Sequence, residues 1–337
     1  MNHATRTQSN SDDCPGRSEN YQLVQLANGA KTLYSAGYDE KMHPGLGPAA
    51  EAELLYVRQL QIRERLMARR GELVVWDVGL GAAANAVALL RATRDLTGHL
   101  HLVSFDYTSE PLRFALQHAA ELGYLAGYED LIAQLAGERL AQFENGKLSV
   151  DWEFQLGDFP AWLAQARAGA RPVQPPGGQT DHRPTATEHR PDKQDDGVGF
   201  AAPHAIFYDA FSPAKNPAMW TLPVMENLFR ALEPASPCAL TTYSRSTMIR
   251  TTLLLAGFFV GVGHAAGMKE ETTIAANTPG LITEPLGARW LERAARSDSA
   301  EPLPGPRYRR SPIRLETLAQ LRKHPQFQQM SEGDHIC

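Results

Sequence analysis

The sequence predicts an α/β fold: a mainly parallel sheet with helices on both faces and a closing antiparallel strand. Three observations predict it. Short runs rich in Val, Leu, Ile and Phe alternate with helical segments through the middle of the chain. A glycine-rich turn joins one such strand to the helix after it, and a carboxylate stands at the end of each of four strands. Strands that alternate with helices run parallel, because each crossover helix returns the chain to the starting edge.

Each element has its own signal. Residues 1–20 are polar without an apolar centre, which reads as a disordered lead-in and not a secretory signal. An N-terminal piece over 21–70 follows. Gln22–Leu26 and Lys31–Ser35 are strand runs joined by Asn28-Gly29, a dipeptide that accepts the positive φ of a tight hairpin. From Pro48 to Arg69, Leu54, Leu55, Val57, Leu60, Ile62 and Leu66 recur at helical spacing.

The core spans 71–280. Leu73–Val78 is a buried-strand run and Ala82–Thr93 an alanine-rich helix. Leu100–Phe105 and Glu110–Leu122 repeat the strand and helix pattern. Leu148–Leu156 alternates as a half-exposed strand, and Pro160–Ala168 is a short helix. Ala205–Tyr208, Pro223–Leu232, Cys238–Tyr243 and Ser246–Ala256 continue the alternation; Phe258–Val262 and Glu271–Ala276 form a closing antiparallel pair. Residues 169–200 are rich in proline, glycine and charge and have too little apolar surface to offset chain entropy. They are expected to be a disordered insertion.

Composition limits the function. Of 337 residues 43% are hydrophobic, enough for a sizeable core, and the net charge of −5 argues against a chain-wide nucleic-acid binder. Cys14, Cys238 and Cys337 lie far apart, with neither metal-ligand spacing nor a disulfide framework, so no metal is expected and a cytoplasmic setting is. No apolar run reaches the ~18 residues of a membrane span. The extension at 281–337 is basic: residues 281–330 hold nine Lys/Arg against five acids. That excess suits an RNA backbone as well as an ordinary mixed surface.

The sharpest feature is the turn Asp77-Val-Gly79-Leu-Gly81-Ala-Ala-Ala-Asn85. Glycines let the backbone turn tightly and a ligand approach the main chain, while the helix start offers free N–H donors. A dinucleotide fingerprint and a purely packing turn fit this spacing too. The carboxylates favour S-adenosylmethionine. Asp77, two residues before the first glycine, suits a cationic amino-acid portion and would repel a pyrophosphate. Asp106 can accept both ribose hydroxyls, and Asp158 can face an adenine amine. All three stand at carboxyl ends of strands, where open sheets bind ligands. Downstream, a fourth strand delivers Asp209 to the same crevice, followed by a rigid loop with Phe211, Lys215, Asn216, Pro217 and Trp220. Its aromatic faces suit a flat acceptor, though a loop that merely caps the next helix is an equal reading.

With these residues in place, the chain resembles the methyltransferase part of the bifunctional tRNA-modifying family MnmC, which completes 5-methylaminomethyl-2-thiouridine at the wobble position. The resemblance runs over residues 21–278 outside the insertion. It rests on Asp77, Gly79, Gly81 and Asn85, and on Asp209, Phe211, Pro213, Asn216, Pro217 and Trp220. It departs at Ala83, where the family has a third glycine, and the family's flavin-dependent oxidoreductase half is not found.

The resemblance implies a Rossmann-like class I methyltransferase with S-adenosylmethionine held by Asp77, Gly79, Gly81 and Asn85, to which the strand-end positions of Asp106 and Asp158 add two further cofactor contacts. It also implies a tRNA substrate and a separate oxidoreductase partner. By its position Asp209 is the candidate catalytic carboxylate that holds the acceptor amine, against a strand-end cap. Phe211, Lys215, Asn216 and Trp220 are the candidate acceptor contacts, against packing for the aromatic rings and a solvated charge for Lys215. His43 is expected to be a structural loop histidine. Methylation of another amine or small molecule, or a nicotinamide-dependent oxidoreductase, are the competing functions.

Overall fold

The computed structural model of the chain describes residues 21–69, 71–165, 167–168, 199–265 and 270–328. The lead-in at 1–20, nearly all of the expected insertion, Cys14 and Cys337 lie outside the described residues.

Three short strands open the fold: β1 (Tyr21–Gln25), β2 (Lys31–Ser35) and β3 (Glu40–Lys41), an antiparallel sheet of order β1-β2-β3. The turn between β1 and β2 forms as its sequence predicts. Gly29 takes φ 86°, and the Ala30 N–H donates to the Asn28 side chain at 3.1 Å. Residues 48–69 are helical but not one helix. α1 (Pro48–Ala52) runs into a π-helical turn at Glu53–Arg58, and left-handed Gln61, φ 50°, breaks the chain before α2 (Ile62–Ala68).

The remaining elements follow in order: β4 (Glu72–Val78), α3 (Ala84–Thr93), β5 (Gly98–Asp106), α4 (Glu110–Gln117), α5 (Ala119–Leu122), α6 (Glu129–Glu138), β6 (Leu140–Asn145), β7 (Leu148–Leu156) and α7 (Phe159–Gln165). Next come β8 (Arg167–Ala168), β9 (Gly199–Phe200), β10 (Ala205–Tyr208), a 3₁₀ turn (Pro217–Trp220), α8 (Leu222–Arg230), β11 (Ala239–Thr242) and α9 (Thr247–Ala256). β12 (Phe259–Gly263), β13 (Thr272–Ala276), α10 (Ala288–Ala295) and α11 (Leu315–Arg322) complete the set.

Eight strands form one sheet of order β12-β13-β11-β10-β4-β5-β7-β6. β11, β10, β4, β5 and β7 are mutually parallel; β6, β12 and β13 pair antiparallel at the two ends. The expected Rossmann-like sheet with a closing antiparallel pair is therefore present. Strand β4 is buried on both faces, which is why ELVVWDV reads as a continuous apolar run. Its alternate residues feed two cores. Leu73 and Val75 pack with α3 on one side, and Val74 and Trp76 with Phe105, Leu228 and Leu254 on the other.

Four differences from the sequence expectation have physical reasons. The helix expected over Glu110–Leu122 divides at His118, giving α4 and α5. The hairpin-linked edge strand β6 and the helix α6 before it were not anticipated. The end of the expected insertion is ordered: Gly199–Phe200 pairs with Arg167–Ala168, and the Phe200 ring lies 5.1 Å from Trp76. Finally, the described part of the basic extension is built into the fold. Trp290, Leu321 and Phe327 join the second core, and the Gln326 side chain bonds both backbone groups of Val260. Among the described residues no helix is long and apolar enough to cross a membrane.

Candidate functional site

Neighbouring parallel strands β4 and β10 send their crossovers to opposite sides of the sheet, which opens a crevice beyond their carboxyl ends. The glycine turn lies there. The Gly79 and Leu80 amides both donate to the Phe105 carbonyl, at 2.9 and 3.0 Å, tying the turn to the end of β5. Gly79 has φ +96°, and a Cβ there would come within 2.8 Å of the Asp209 carbonyl oxygen. Only glycine permits the turn to touch the end of β10.

The Gly81 amide donates to Asp106 Oδ2 at 2.8 Å, and Asp106 Oδ1 accepts from the Thr108 amide at 3.2 Å. Burial raises the Asp106 carboxyl, opposed by these backbone N–H groups. Each oxygen keeps a second lone pair, so both hydroxyls of a ribose can be accepted. Ala83 stands in the left-handed region, φ 60°, yet its methyl group is fully buried in the first core and does not line the crevice. The loss of the third glycine thus costs backbone strain, ~1 kcal/mol, and no ligand space.

The crevice is a cavity of about 610 Å³. Gly79 and Gly81, Asp106, Asp158, and Asp209 with Phe211 and Asn216 form walls on successive strand ends. The N-terminal piece supplies the roof: Tyr38, Glu40, His43 and Glu51 all face the cavity. Tyr38 stacks on Phe211 with ring centroids 4.2 Å apart. Glu40 accepts from the Ser212 amide and hydroxyl at 3.1 and 2.9 Å, and Lys215 Nζ pairs with Asp39 at 2.9 Å. The roof and the loop from Phe211 to Lys215 are therefore one interlocked unit. His43 Nε2 lies 3.6 Å from Asp209 Oδ2, and its Nδ1 is 3.9 Å from Glu51. A histidine expected to be structural lines the cavity beside Asp209.

Asp209 is held by Asn85, whose Nδ2 donates to Oδ2 at 2.9 Å. The helix-start asparagine of the first motif thus positions the carboxylate of the second. Asn216 lines the cavity through a turn in which its amide donates to the Ser212 carbonyl at 2.8 Å. Trp220 does not reach the cavity, which corrects the expectation that it stacks on an acceptor. It is fully buried, edge-on to Tyr208 at 5.1 Å, with its indole N–H donated to the Phe211 carbonyl at 2.8 Å. A large ring with one donor is stabler in the core with that donor satisfied than in open water. Lys215, paired with Asp39, also stays off the cavity wall.

Asp77 occupies the floor beneath the cavity, not its wall. It is fully buried, accepts from the Ser104 hydroxyl at 3.0 Å, and leaves Oδ1 without a hydrogen bond, as does Asn85 Oδ1. Burial above all, then the Asp209 and Asp106 charges, pushes its carboxyl up to about 8. Protonation of Asp77 removes the charge that burial penalises. Tyr56, beneath the roof, is raised by burial and then by the Asp209 charge.

The lining is strongly acidic: Glu40, Glu51, Asp106, Asp158 and Asp209 against Lys41, with His43 among them. A sulfonium and an ammonium suit such a cavity, and a pyrophosphate does not. Tyr38 and Glu40 carry no periodic or motif signal in the sequence, and His43 is legible there only as a loop histidine.

Comparisons with known proteins agree with this geometry. The family described as S-adenosyl-L-methionine-dependent methyltransferase matches residues 196–278. The tRNA 5-methylaminomethyl-2-thiouridine biosynthesis bifunctional protein MnmC of Cupriavidus metallidurans is 26% identical over 279 residues, 78% of this chain and 36% of that protein. The MnmC of Aeromonas hydrophila is 26% identical over 258 residues, 72% of this chain and 34% of that protein. The chain thus spans about a third of the length of the curated relatives it matches. The crystal structure of MnmC2 from Aquifex aeolicus shares the fold, with a TM-score of 0.57 at 22% identity over 91% of this chain and 86% of that one.

Proposed function

From the premise that the chain is an S-adenosylmethionine-dependent methyltransferase, similar in sequence to MnmC, we propose that it methylates the aminomethyl group of a wobble uridine in tRNA. The observation that carries the reading is the Asp209 carboxylate, clamped by Asn85 between the glycine turn and the Phe211–Asn216 wall of one acidic cavity. A carboxylate there can hold a primary amine against a cofactor seated on the turn.

Bound S-adenosylmethionine supplies an electrophilic methyl group on a sulfonium. Gly79 and Gly81 leave room for it against the main chain, and Asp106 accepts its ribose hydroxyls. Asp158, at the end of β7, takes the adenine end. Asp209 would draw in the acceptor amine and stabilise the positive charge that develops on its nitrogen as the N–C bond forms and the methyl–sulfur bond breaks, with S-adenosylhomocysteine as the leaving group. One amine proton must leave before attack, and it passes to water or to His43 beside Asp209. The faces of Phe211 and Tyr38 exclude water from the line of displacement. In this reading the primary amine is made by a separate flavin-dependent oxidoreductase partner that removes the carboxymethyl group.

Asp209→Asn keeps the shape and one accepting oxygen but removes the charge. Methyl transfer to aminomethyl-uridine tRNA, followed by mass spectrometry of the nucleosides, should fall tenfold or more, the ~2–4 kcal/mol of one preorganised electrostatic contact. S-adenosylhomocysteine affinity should stay nearly constant. Normal methylation by the variant would remove Asp209 from the mechanism. Methylation of small amines with none of tRNA would make tRNA the wrong acceptor.

A further inference from the structure

The cavity that suits two cations poses a problem for a polynucleotide. Its five carboxylates face one lysine and one histidine, so a phosphate backbone brought to the mouth meets repulsion. An RNA acceptor needs a cationic foothold outside the cavity but rigidly connected to it.

Residues 302–314, PLPGPRYRRSPIR, have four arginines and no acid. The loop is held at its neck by the Ala300 and Glu301 amides, which donate to the Ser311 carbonyl at 3.0 and 3.2 Å. Four prolines restrict its backbone further. It is also fastened to the site: Leu303 bridges Thr221, with the Leu222 amide donating to the Leu303 carbonyl at 2.9 Å. Thr221 directly follows the 3₁₀ turn whose Ala218 and Met219 line the cavity.

The arginines of this loop divide into two kinds. Arg310 is paired with Asp298 at 2.9 Å, and Arg314 with buried Glu301, so these two fix the loop. Arg307 and Arg309 are exposed and have no salt bridge among the described residues. Tyr308, between them, leaves 38% of its surface open. Two unneutralised guanidinium groups flanking an accessible ring, on a closed loop tied through Leu303 to the segment that follows the cavity-lining 3₁₀ turn, match phosphates next to an unstacked base.

We propose that the loop bearing Arg307, Tyr308 and Arg309 is the RNA-docking surface, holding the phosphate backbone of the substrate stem-loop while the modified uridine enters the cavity. The proposal rests on the tRNA reading above. The reading supplies the polyanion, and the loop supplies the place where it is held.

The test uses the full chain and a synthetic RNA hairpin with an aminomethyl-uridine in its loop. Affinity is measured by fluorescence anisotropy across a salt series. Arg307→Ala with Arg309→Ala should weaken binding about tenfold or more at low salt and reduce the slope of log affinity against log salt by about 1–2. Arg289→Ala with Arg322→Ala, two exposed arginines on α10 and α11, make the same change in net charge and should do neither. S-adenosylhomocysteine affinity should be equal in all three proteins. If the loop variant binds and methylates RNA as wild type does, or if the control variant loses as much, the docking surface is wrong and the tRNA reading survives. If wild type neither binds nor methylates the hairpin or whole tRNA, both fall.

Discussion

Two clusters of ionisable groups stand toward opposite ends of the same strands, and only one is built to receive a ligand. Toward the amino ends, His99 of β5 lies between Glu72 of β4 and Asp151 of β7, at 3.2 and 3.1 Å, and His101 meets Glu153 at 2.8 Å. Glu72, His99 and Asp151 are close enough to hold a metal ion. Both nitrogens of His99 are nonetheless already matched with carboxylates of the same sheet. At the carboxyl ends the acids that line the cavity outnumber the bases. Charge matched within the fold stabilises it modestly; charge left unmatched around a cavity costs stability and is recovered when a cation binds. Carboxylates matched by bases therefore do not mark a site, whereas an excess of acids converging on a crevice does.

The largest expected effect breaks the crevice itself. Gly79→Ala places a methyl group 2.8 Å from the Asp209 carbonyl oxygen at a backbone angle that alanine resists. Unfolding free energy should drop by ~2–4 kcal/mol, and calorimetry with S-adenosylhomocysteine should lose its binding heat. Retained affinity would mean that the close contact between the turn and β10 is not needed for the cofactor.

The next effect concerns the floor. With Asp77 raised from 3.8 to about 8, the folded chain keeps between those values a proton that the unfolded chain has released. Its contribution is fully present below pH 4, declines as pH rises toward 8, and is flat beyond. Asp77→Asn mimics the protonated form at every pH. Urea titrations of the ligand-free protein should show the variant gaining on wild type throughout the interval from pH 4 to 8, by at most the ~1.4 kcal/mol per pH unit that one retained proton allows. Parallel pH profiles for the two proteins would show that Asp77 is ionised in the fold.

A smaller effect tests the matched cluster. Burial opposes the charge on His101, but the hydrogen bond and charge of Glu153, helped by Glu72 and Asp151, outweigh it and raise the imidazole above 6.5. The stabilisation is complete below that value and is lost as pH rises through the folded value. His101→Gln should cost about 1 kcal/mol at pH 6 and almost nothing at pH 9, with methyl transfer unchanged. A change in cofactor affinity would show that the two ends of the sheet are coupled.

Much of this is legible in the sequence. Continuous apolar runs such as LVVWDV and the four strand-end carboxylates follow from burial on both faces and from the geometry of parallel sheets, so order, crevice and glycine turn were all readable. The roof was not. Tyr38 on Phe211 and Glu40 on Ser212 join residues more than 170 positions apart, and local patterning says nothing of such contacts. Trp220 was misjudged for a related reason. An aromatic residue in a Pro/Asn loop looks like a ligand face, and only the tertiary structure shows the indole turned inward to brace that loop. Helix α6 did carry a readable signal, with Ile132 and Leu135 three residues apart on its buried face. The edge strand β6 after it exposes Leu140 and alternates weakly.

The roof's distant contacts also set an order of events. The ribosome makes Tyr38, Asp39 and Glu40 early, but Phe211, Ser212 and Lys215 emerge only after β4, β5, β7 and β10 have been synthesised. Until then the first wall of the chamber has nothing to close against. Nascent chains interrupted before Phe211 can assemble neighbouring strands yet hold no enclosed reaction space, so catalytic competence arrives in one late step and not by degrees.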